Sequence, residues 1–341
     1  MESYVGIDAH SNAGLELAAI EAGSGELLWR DHCRLDGDLL REAVRRAPRP
    51  CTVVFEQGEL ATWLHLALSG CCKNLIAADP RRNRLISTSP DKDDPFDALA
   101  LAQLARGGYV REVYQPPLAF LNLRLQVRHH DRLNRHISAL KNQVKALFRY
   151  HGIPVTGADV YSPEHRPAFL KCLPEAARPP SEDLLAILDV ASEKKDAALQ
   201  LLLQHGRRFP PVRRLMTVPE IGNVRAATFA AYLVTPTRFP SRSHIWSYCG
   251  FGLTRRKSGS HIEPVRLRRG FNRHLKRVIK SAVERMVLRQ ADPFAAAYRL
   301  RLERGTLPTR AKLAIARKLI DVLCALWNSK EDYDPERVRV V

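Results

Sequence analysis

The chain has 341 residues, enough for about two domains that each bury a core of their own. Its apolar fraction of 45% is ordinary, and no apolar stretch approaches the ~20 residues that a membrane span needs. A strand pattern begins directly after the first residues, without a basic or apolar leader, and the seven scattered cysteines show no C-x-x-C spacing. We therefore expect a cytoplasmic protein with reduced thiols, and neither zinc nor disulfides nor membrane contact.

The formal net charge of +18 is concentrated in the C-terminal part of the chain. Residues 201–341 contain 29 Lys and Arg against 10 Asp and Glu, whereas residues 1–200 are close to neutral. A basic domain joined to a near-neutral one is typical of proteins that bind polyanions. A highly charged solvated surface is the alternative, but few acids compensate the bases, and we predict nucleic-acid binding.

Residues 3–114 alternate strand and helix patterns. The predicted strands are 3–8, 14–20, 26–33, 51–56 and 74–78, and the predicted helices are 38–46, 59–69 and a segment that opens at Asp94. Hairpin strands followed by β-α-β-α indicate a mixed sheet covered by helices, which is also the order of the RNase H-like fold.

A long helix is predicted over 118–150, where Leu133, Ile137, Leu140, Val144 and Leu147 follow heptad spacing. We expect it to pair with another helix, either in a partner subunit or in the amphipathic segment 182–205. The proline-rich residues 151–180 predict an irregular connector.

From about residue 207 the pattern predicts a second, mainly helical domain. Pro219 and Gly222 precede an alanine-rich helix and resemble a helix-hairpin-helix, which offers backbone N–H groups to phosphate; a plain packed turn is the alternative. Further helices are predicted near 241–249, 272–290, 293–304 and 308–328. The predicted domains are thus 1–115, a spacer 116–206, the helical domain 207–330 and a loose tail 331–341.

Four carboxylates carry most of the chemical information. Asp8 and Glu56 each end an apolar strand, and Asp94 and Asp97 share one face of a helix because they lie three residues apart. Facing each other, they would provide oxygen ligands for one or two Mg²⁺ ions, as phosphodiester chemistry requires. Each acid alone has an ordinary alternative, such as a turn residue, a surface acid or a helix N-cap. Since chance would rarely place all four in this way, we predict a magnesium site.

A second constellation surrounds Ser258, which glycines and basic residues flank. Such a serine is well placed to attack a phosphate, because the cations stabilise the negative charge of the transition state. The residues alone favour a flexible loop that contacts phosphate, and they favour packing for the nearby Tyr248. The basic residues that we predict to contact nucleic acid are Arg255, Arg256, Lys257, Arg266, Arg268, Arg269, Arg273, Lys276 and Arg277.

Together these motifs resemble the DEDD-type insertion-sequence transposases, also described as bridge-RNA-guided recombinases, over about residues 3–328. The N-terminal parts of the resemblance are Gly6-Ile7-Asp8-Ala9-His10, Phe55-Glu56-Gln57-Gly58 and Lys92-Asp93-Asp94-Pro95-Phe96-Asp97-Ala98. The C-terminal parts are Val218-Pro219-Glu220-Ile221-Gly222, Tyr248-Cys249-Gly250, Ser258-Gly259 and Gly270 ahead of a basic helix.

The resemblance implies a RuvC-like (RNase H-fold) domain, a coiled-coil spacer and a helical transposase domain. It implies that Asp8, Glu56, Asp94 and Asp97 hold Mg²⁺ and that Ser258 forms a covalent 5′-phosphoserine link to DNA. It also implies a homodimer or homotetramer in which acids and serine meet across subunits, and an element-encoded guide RNA that selects donor and target DNA.

The chain departs from the family pattern in two places. Phe271 separates Gly270 from Asn272, and Glu263-Pro264 stand where the family has further glycines. Ser260 therefore remains an alternative nucleophile.

Two other functions stay open at this point. A structure-selective nuclease resembling junction resolvases would use water as nucleophile and leave free DNA ends without a protein adduct. A non-catalytic nucleic-acid-binding protein would show neither cleavage nor a Mg²⁺-dependent thermal shift.

Overall fold

The computed structural model describes residues 2–80, 94–254, 257–258, 261–262 and 265–338, with the side chains of 94–96, 257–258 and 261–262 outside the description. The chain divides into two compact units, residues 1–116 and 117–341. Among the described residues, no helix combines the length and apolar character needed to cross a membrane.

The first unit is built on a five-stranded mixed sheet with strand order β3-β2-β1-β4-β5. Its strands are β1 (Ser3–His10), β2 (Gly14–Glu21), β3 (Leu27–Cys33), β4 (Cys51–Glu56) and β5 (Asn74–Ala78). Its described helices are α1 (Gly37–Arg45), α2 (Ala61–Leu68) and α3 (Asp94–Arg106). β1 pairs antiparallel with β2 and parallel with β4. The predicted mixed α/β architecture of the N-terminal part is confirmed.

Helix α3 packs against β1 at a position that only glycine can occupy. A Cβ atom on Gly6 would lie 1.9 Å from the carbonyl oxygen of Ala98 and 2.8 Å from the amide nitrogen of Ala102. At its far end, α3 is fixed by Arg106, which donates hydrogen bonds to the carbonyl oxygens of Ala22 and Gly23 in the β2–β3 turn. The helix that carries Asp97 is therefore held at both ends against the sheet.

The second unit is mainly helical, as predicted. Its helices are α4 (Leu118–Tyr150), α5 (Arg166–Lys171), α6 (Arg178–Arg207), α7 (Pro210–Leu215), α8 (Asn223–Leu233), α9 (Arg242–Tyr248), α10 (Arg273–Leu288), α11 (Phe294–Glu303) and α12 (Pro308–Ser329). Every residue of α8 from Ala226 to Leu233 is buried, so this helix forms the centre of the main core.

Helices α4 and α6 pack against each other within the chain. Ile137 and Val144, two of the heptad positions, are buried in a cluster with Leu185 and Leu188 of α6. The pairing partner is thus the amphipathic segment named as one of two candidates from sequence. Whether the pair supercoils as a coiled coil stays a prediction.

A network of charges stabilises the turn between α7 and α8. Glu220 has a φ of 61°, in the left-handed region, and its carboxylate accepts a hydrogen bond from Arg285 Nε at 2.7 Å and from Arg289 at 3.3 Å. Arg225 donates to the Glu220 carbonyl oxygen at 2.6 Å. The hydrogen bond from Arg285 is the largest of the causes that lower the pKa of Glu220. That this turn binds phosphate as a helix-hairpin-helix stays a prediction.

Replacing Glu220 by glutamine should reduce the free energy of unfolding by about 1–2 kcal/mol near pH 7, because charge-assisted bonds to partly solvated arginines are lost. Since the folded pKa lies below the usual 4.5, this stabilisation is complete above that value and disappears as the pH falls through the folded pKa. Urea unfolding near pH 7 and near pH 3 measures both effects. Glu303→Gln, an exposed acid outside this network, is the control; equal stability of wild type and Glu220→Gln near pH 7 would contradict the prediction.

Candidate functional site

Asp8 and Glu56 lie side by side at one edge of the sheet. Ile7 pairs with Phe55 in the parallel β1–β4 ladder, and each acid is the next residue along its strand. Both acids line one pocket of about 250 Å³, which continues over residues 57–61 at the start of α2. Carboxyl ends of parallel strands meet at the same sheet edge, so the register places the two carboxylates in one pocket.

The surroundings of Asp8 raise the pKa of its carboxyl group. Burial raises the pKa of Asp8, and the negative charge of Asp97 on α3 raises it further. His10 opposes both, because its Nε2 lies 2.9 Å from an Asp8 carboxylate oxygen. Carboxylates that repel each other are the usual donor set for a hard divalent cation, which fits Mg²⁺.

The side chain of Asp94, the fourth acid, and several of the residues predicted to contact nucleic acid are not described by the structure. Asp94 begins α3, but its side chain is not among those described. Within the described part of the chain, no three His, Cys, Asp or Glu side chains form a group that could hold a metal. The described geometry therefore places Asp8 with Glu56 and Asp8 near Asp97, while convergence of all four acids stays a prediction.

His10 is a residue of this pocket to which sequence reasoning assigned no role. It lies two residues after Asp8 on β1, and alternate residues of a strand share a face. The spacing Asp-x-His was therefore a usable signal. Gln57, which also lines the pocket, accepts a hydrogen bond from Gln115 at 2.6 Å, a contact between residues too distant in sequence to be foreseen.

Ser258 lies in a β-hairpin of the second unit. Leu253 and Thr254 of β6 (Leu253–Thr254) pair with β9 (Arg266–Leu267), and inside that pairing β7 (Lys257–Ser258) pairs with β8 (His261–Ile262). The backbone of Ser258 is thus opposite His261 in a strand, whereas the sequence favoured a loop. Arg255, Arg256 and Ser260 lie outside the described residues, so their predicted roles stay predictions.

The base of this hairpin is anchored to the helical core. The amide of Arg268 donates to the carbonyl oxygen of Gly252 at 2.9 Å, and Arg317 Nε of α12 donates to the carbonyl oxygen of Phe251 at 2.8 Å. A Cβ on Gly252 would lie 2.1 Å from Ser247 Oγ, so this position too requires glycine. The base of the hairpin is therefore fixed to the helical core.

The start of α10 is held by Asn272. Its side chain accepts hydrogen bonds from the amides of His274 and Leu275, and its own amide donates to the carbonyl oxygen of Tyr248 at 2.8 Å. The Tyr248 hydroxyl accepts from Asn272 Nδ2 and donates to the Tyr232 carbonyl oxygen, both at 3.3 Å. These contacts support packing as the role of Tyr248.

The residues of the second unit that were predicted to contact nucleic acid differ in the partners they have within the protein. Arg266, Arg268 and Arg269 are exposed along and after β9, and Arg273 is exposed on α10. Lys276 lies 4.1 Å from the centre of the Phe271 ring. Arg277 instead binds Asp131 of α4 at 2.7 Å, so part of its charge is used inside the unit.

Comparison with known proteins finds similarity in both units. A family model for the IS110-type DEDD transposases, described as a transposase, matches residues 5–151, and a model described as transposase IS116/IS110/IS902 family matches residues 212–299. A similar curated protein is the insertion element IS110 uncharacterized 43.6 kDa protein of Streptomyces coelicolor. It is 33% identical over 121 residues, which cover 35% of this chain and 29% of the relative, so the chain matches less than a third of that protein.

The first match contains all four predicted acids, and the second contains Ser258 and every predicted basic residue. Parts of the same transposase family therefore match both units of the structure, and the chain is similar to the IS110-type DEDD transposases.

Proposed function

We propose that the chain is a Mg²⁺-dependent DNA transposase that cuts and rejoins the ends of an insertion sequence through a 5′-phosphoserine intermediate, with an RNA guiding the choice of DNA. The observation that carries the proposal is the pocket shared by Asp8 and Glu56, beside which Asp97 is close enough to raise the Asp8 pKa. Several carboxylates beside one pocket are the ligand set that a divalent-metal phosphodiester enzyme needs.

Asp8, Glu56, Asp94 and Asp97 would hold Mg²⁺, which when bound neutralises phosphate charge and favours attack on phosphorus. His10 orients Asp8 through their hydrogen bond. In the second unit, the exposed arginines of β9 and α10 bind the DNA backbone, because guanidinium groups match phosphate geometry.

Ser258 is the nucleophile of the proposed reaction. Its Oγ loses a proton to solvent and bonds to phosphorus while the P–O3′ bond breaks, and the departing 3′ oxygen takes up a proton. The product is a 5′-phosphoserine link with a free 3′-hydroxyl. Attack by the 3′-hydroxyl of another strand reverses these changes and restores the serine, so rejoining needs no nucleotide cofactor.

The test uses the purified full chain with element-end DNA, guide RNA and Mg²⁺, followed by denaturation and detection of a covalent protein–DNA adduct. We expect a clear adduct with wild type and with Ser260→Ala, and at least about a thousandfold less with Ser258→Ala, because no other group takes over a missing nucleophile.

Each alternative function has its own outcome in this experiment. An adduct that survives in Ser258→Ala and is lost in Ser260→Ala would move the nucleophile to Ser260. Cleavage to free ends without any adduct would replace the serine mechanism by hydrolysis. Absence of both cleavage and a Mg²⁺-dependent thermal shift would leave a binding protein.

A further inference from the structure

A groove lies beside the base of the Ser258 hairpin, and the proposed chemistry assigns it no role. We call it the hairpin groove. It has a volume of about 940 Å³ and is bounded by β6 and β9 on one side and by α10 and α12 on the others. Its apolar surface comes mainly from Leu253, Val265, Leu267, Val283 and Leu313.

Three apolar side chains of the hairpin base are exposed along this groove. Leu253 is 46% exposed, Val265 is 48% exposed and Leu267 is 42% exposed. Leu253 and Leu267 are direct cross-strand partners, so they form one continuous apolar surface. Exposed apolar patches bounded by polar residues are typical of binding sites.

The rim of the hairpin groove is strongly basic. Lys276 and Lys280 lie on α10, Arg310 and Lys312 lie on α12, and Glu284 is the one acid among the described lining residues. Lys280 lies 3.8 Å from Glu284, which leaves a net positive rim. The cations of α12 lie in its first turns, where the helix dipole disfavours positive charge, and no acid occupies its first turn. These cations therefore weaken the isolated helix and favour an anionic ligand.

Only some partners combine an apolar face with negative charge. A second copy of this unit is disfavoured, because residues 201–341 are themselves strongly basic. A DNA duplex presents its phosphates but hides the faces of its bases. An unpaired nucleotide offers both a base face for the leucines and a phosphate for the rim, and the volume lies within the range of small-ligand sites.

We propose that the hairpin groove binds one or two unpaired nucleotides of the strand that Ser258 attacks; this inference rests on the proposed function. Strand β7 begins three residues after β6, so a base held by Leu253 and Leu267 would fix the strand next to the reacting phosphate. The groove thereby selects unpaired or opened DNA over intact duplex.

The experiment measures equilibrium binding to the full chain in EDTA, by fluorescence anisotropy. The probes are a labelled single-stranded oligonucleotide, a strand of equal length with abasic sites, and a duplex. Covering one face of a base with leucine side chains removes apolar surface from water, so wild type should bind the base-bearing strand at least about fivefold more tightly than the abasic strand.

Variants separate the two parts of the groove. Leu253→Gln with Leu267→Gln should remove the preference for bases while abasic and duplex binding stay unchanged. Lys276→Gln with Lys280→Gln should weaken binding to all three probes. Leu288→Gln, an 80% exposed leucine that is not among the groove-lining residues, is the matched control and should behave as wild type.

Three results would overturn the proposal. One is equal binding of base-bearing and abasic strands by wild type, and another is equal loss of preference in Leu288→Gln. The third is an oligomer, seen by light scattering, that Leu253→Gln with Leu267→Gln dissociates, which would make the groove an interface between copies. Because these assays contain no Mg²⁺ and no cleavage step, failure of the Ser258 assignment would leave them unaffected.

Discussion

Replacing Gly6 by alanine is expected to destabilise the first unit by about 1–3 kcal/mol and to reduce Mg²⁺-dependent DNA cleavage at least about 100-fold. The added Cβ would lie 1.9 Å from the carbonyl oxygen of Ala98, which is backbone and cannot rotate away. Helix α3 must therefore move off β1. Asp97, one residue before that contact, moves with it, and displacement of a catalytic group by about 1 Å is enough for such a loss.

Urea unfolding of the full chain and cleavage assays measure the two effects of Gly6→Ala. Gly37→Ala is the matched control, because a Cβ there would meet only the end of the Arg41 side chain, at 3.4 Å. Stability and cleavage rates equal to those of wild type would show that α3 is not seated on β1 through Gly6.

Asp8→Asn is expected to abolish the stabilisation that Mg²⁺ gives and to reduce cleavage by at least about 100-fold, since a charged oxygen ligand is lost. Without Mg²⁺ the same variant should unfold at a temperature equal to or higher than that of wild type. Asp8 is partly buried beside the negative charge of Asp97, and a neutral amide removes that repulsion. Opposite effects on stability and activity are common where acids crowd a functional site.

Thermal unfolding with and without Mg²⁺ measures both parts of this prediction. Asp38→Asn, which removes an exposed acid of α1, should leave the Mg²⁺ response unchanged. A full Mg²⁺ response in Asp8→Asn would remove Asp8 from the metal site.

The helices and strands were predictable because each buries one face, and this gives its apolar residues a regular spacing in the sequence. The predicted strand 74–78 matches β5, and the predicted helix 118–150 matches α4. The pairing of Asp8 with Glu56 could also be anticipated, because both follow apolar strands that the β-α-β order makes parallel neighbours.

Contacts between residues that lie far apart along the chain could not be predicted from the sequence. The ion pair of Arg277 with Asp131 joins helices that no local pattern connects. Arg310 and Lys312 resemble ordinary surface charges until the fold places them on the rim of the hairpin groove. Ser258 was expected in a loop because a strand of two residues is too short to show an alternation of apolar and polar residues. The strand of its partner, His261, is equally short.

The hydrogen bonds that Arg106 donates to the exposed β2–β3 turn make this turn unsuitable as an insertion site. Gly23 and Ser24 form a short surface turn of the kind chosen for epitope tags or fluorescent labels. The carbonyl oxygens of Ala22 and Gly23, however, hold the last turn of α3, whose other end carries Asp97. An insertion there would free that end of the helix and with it the segment that positions Asp97, so this turn has to stay intact in any fusion protein.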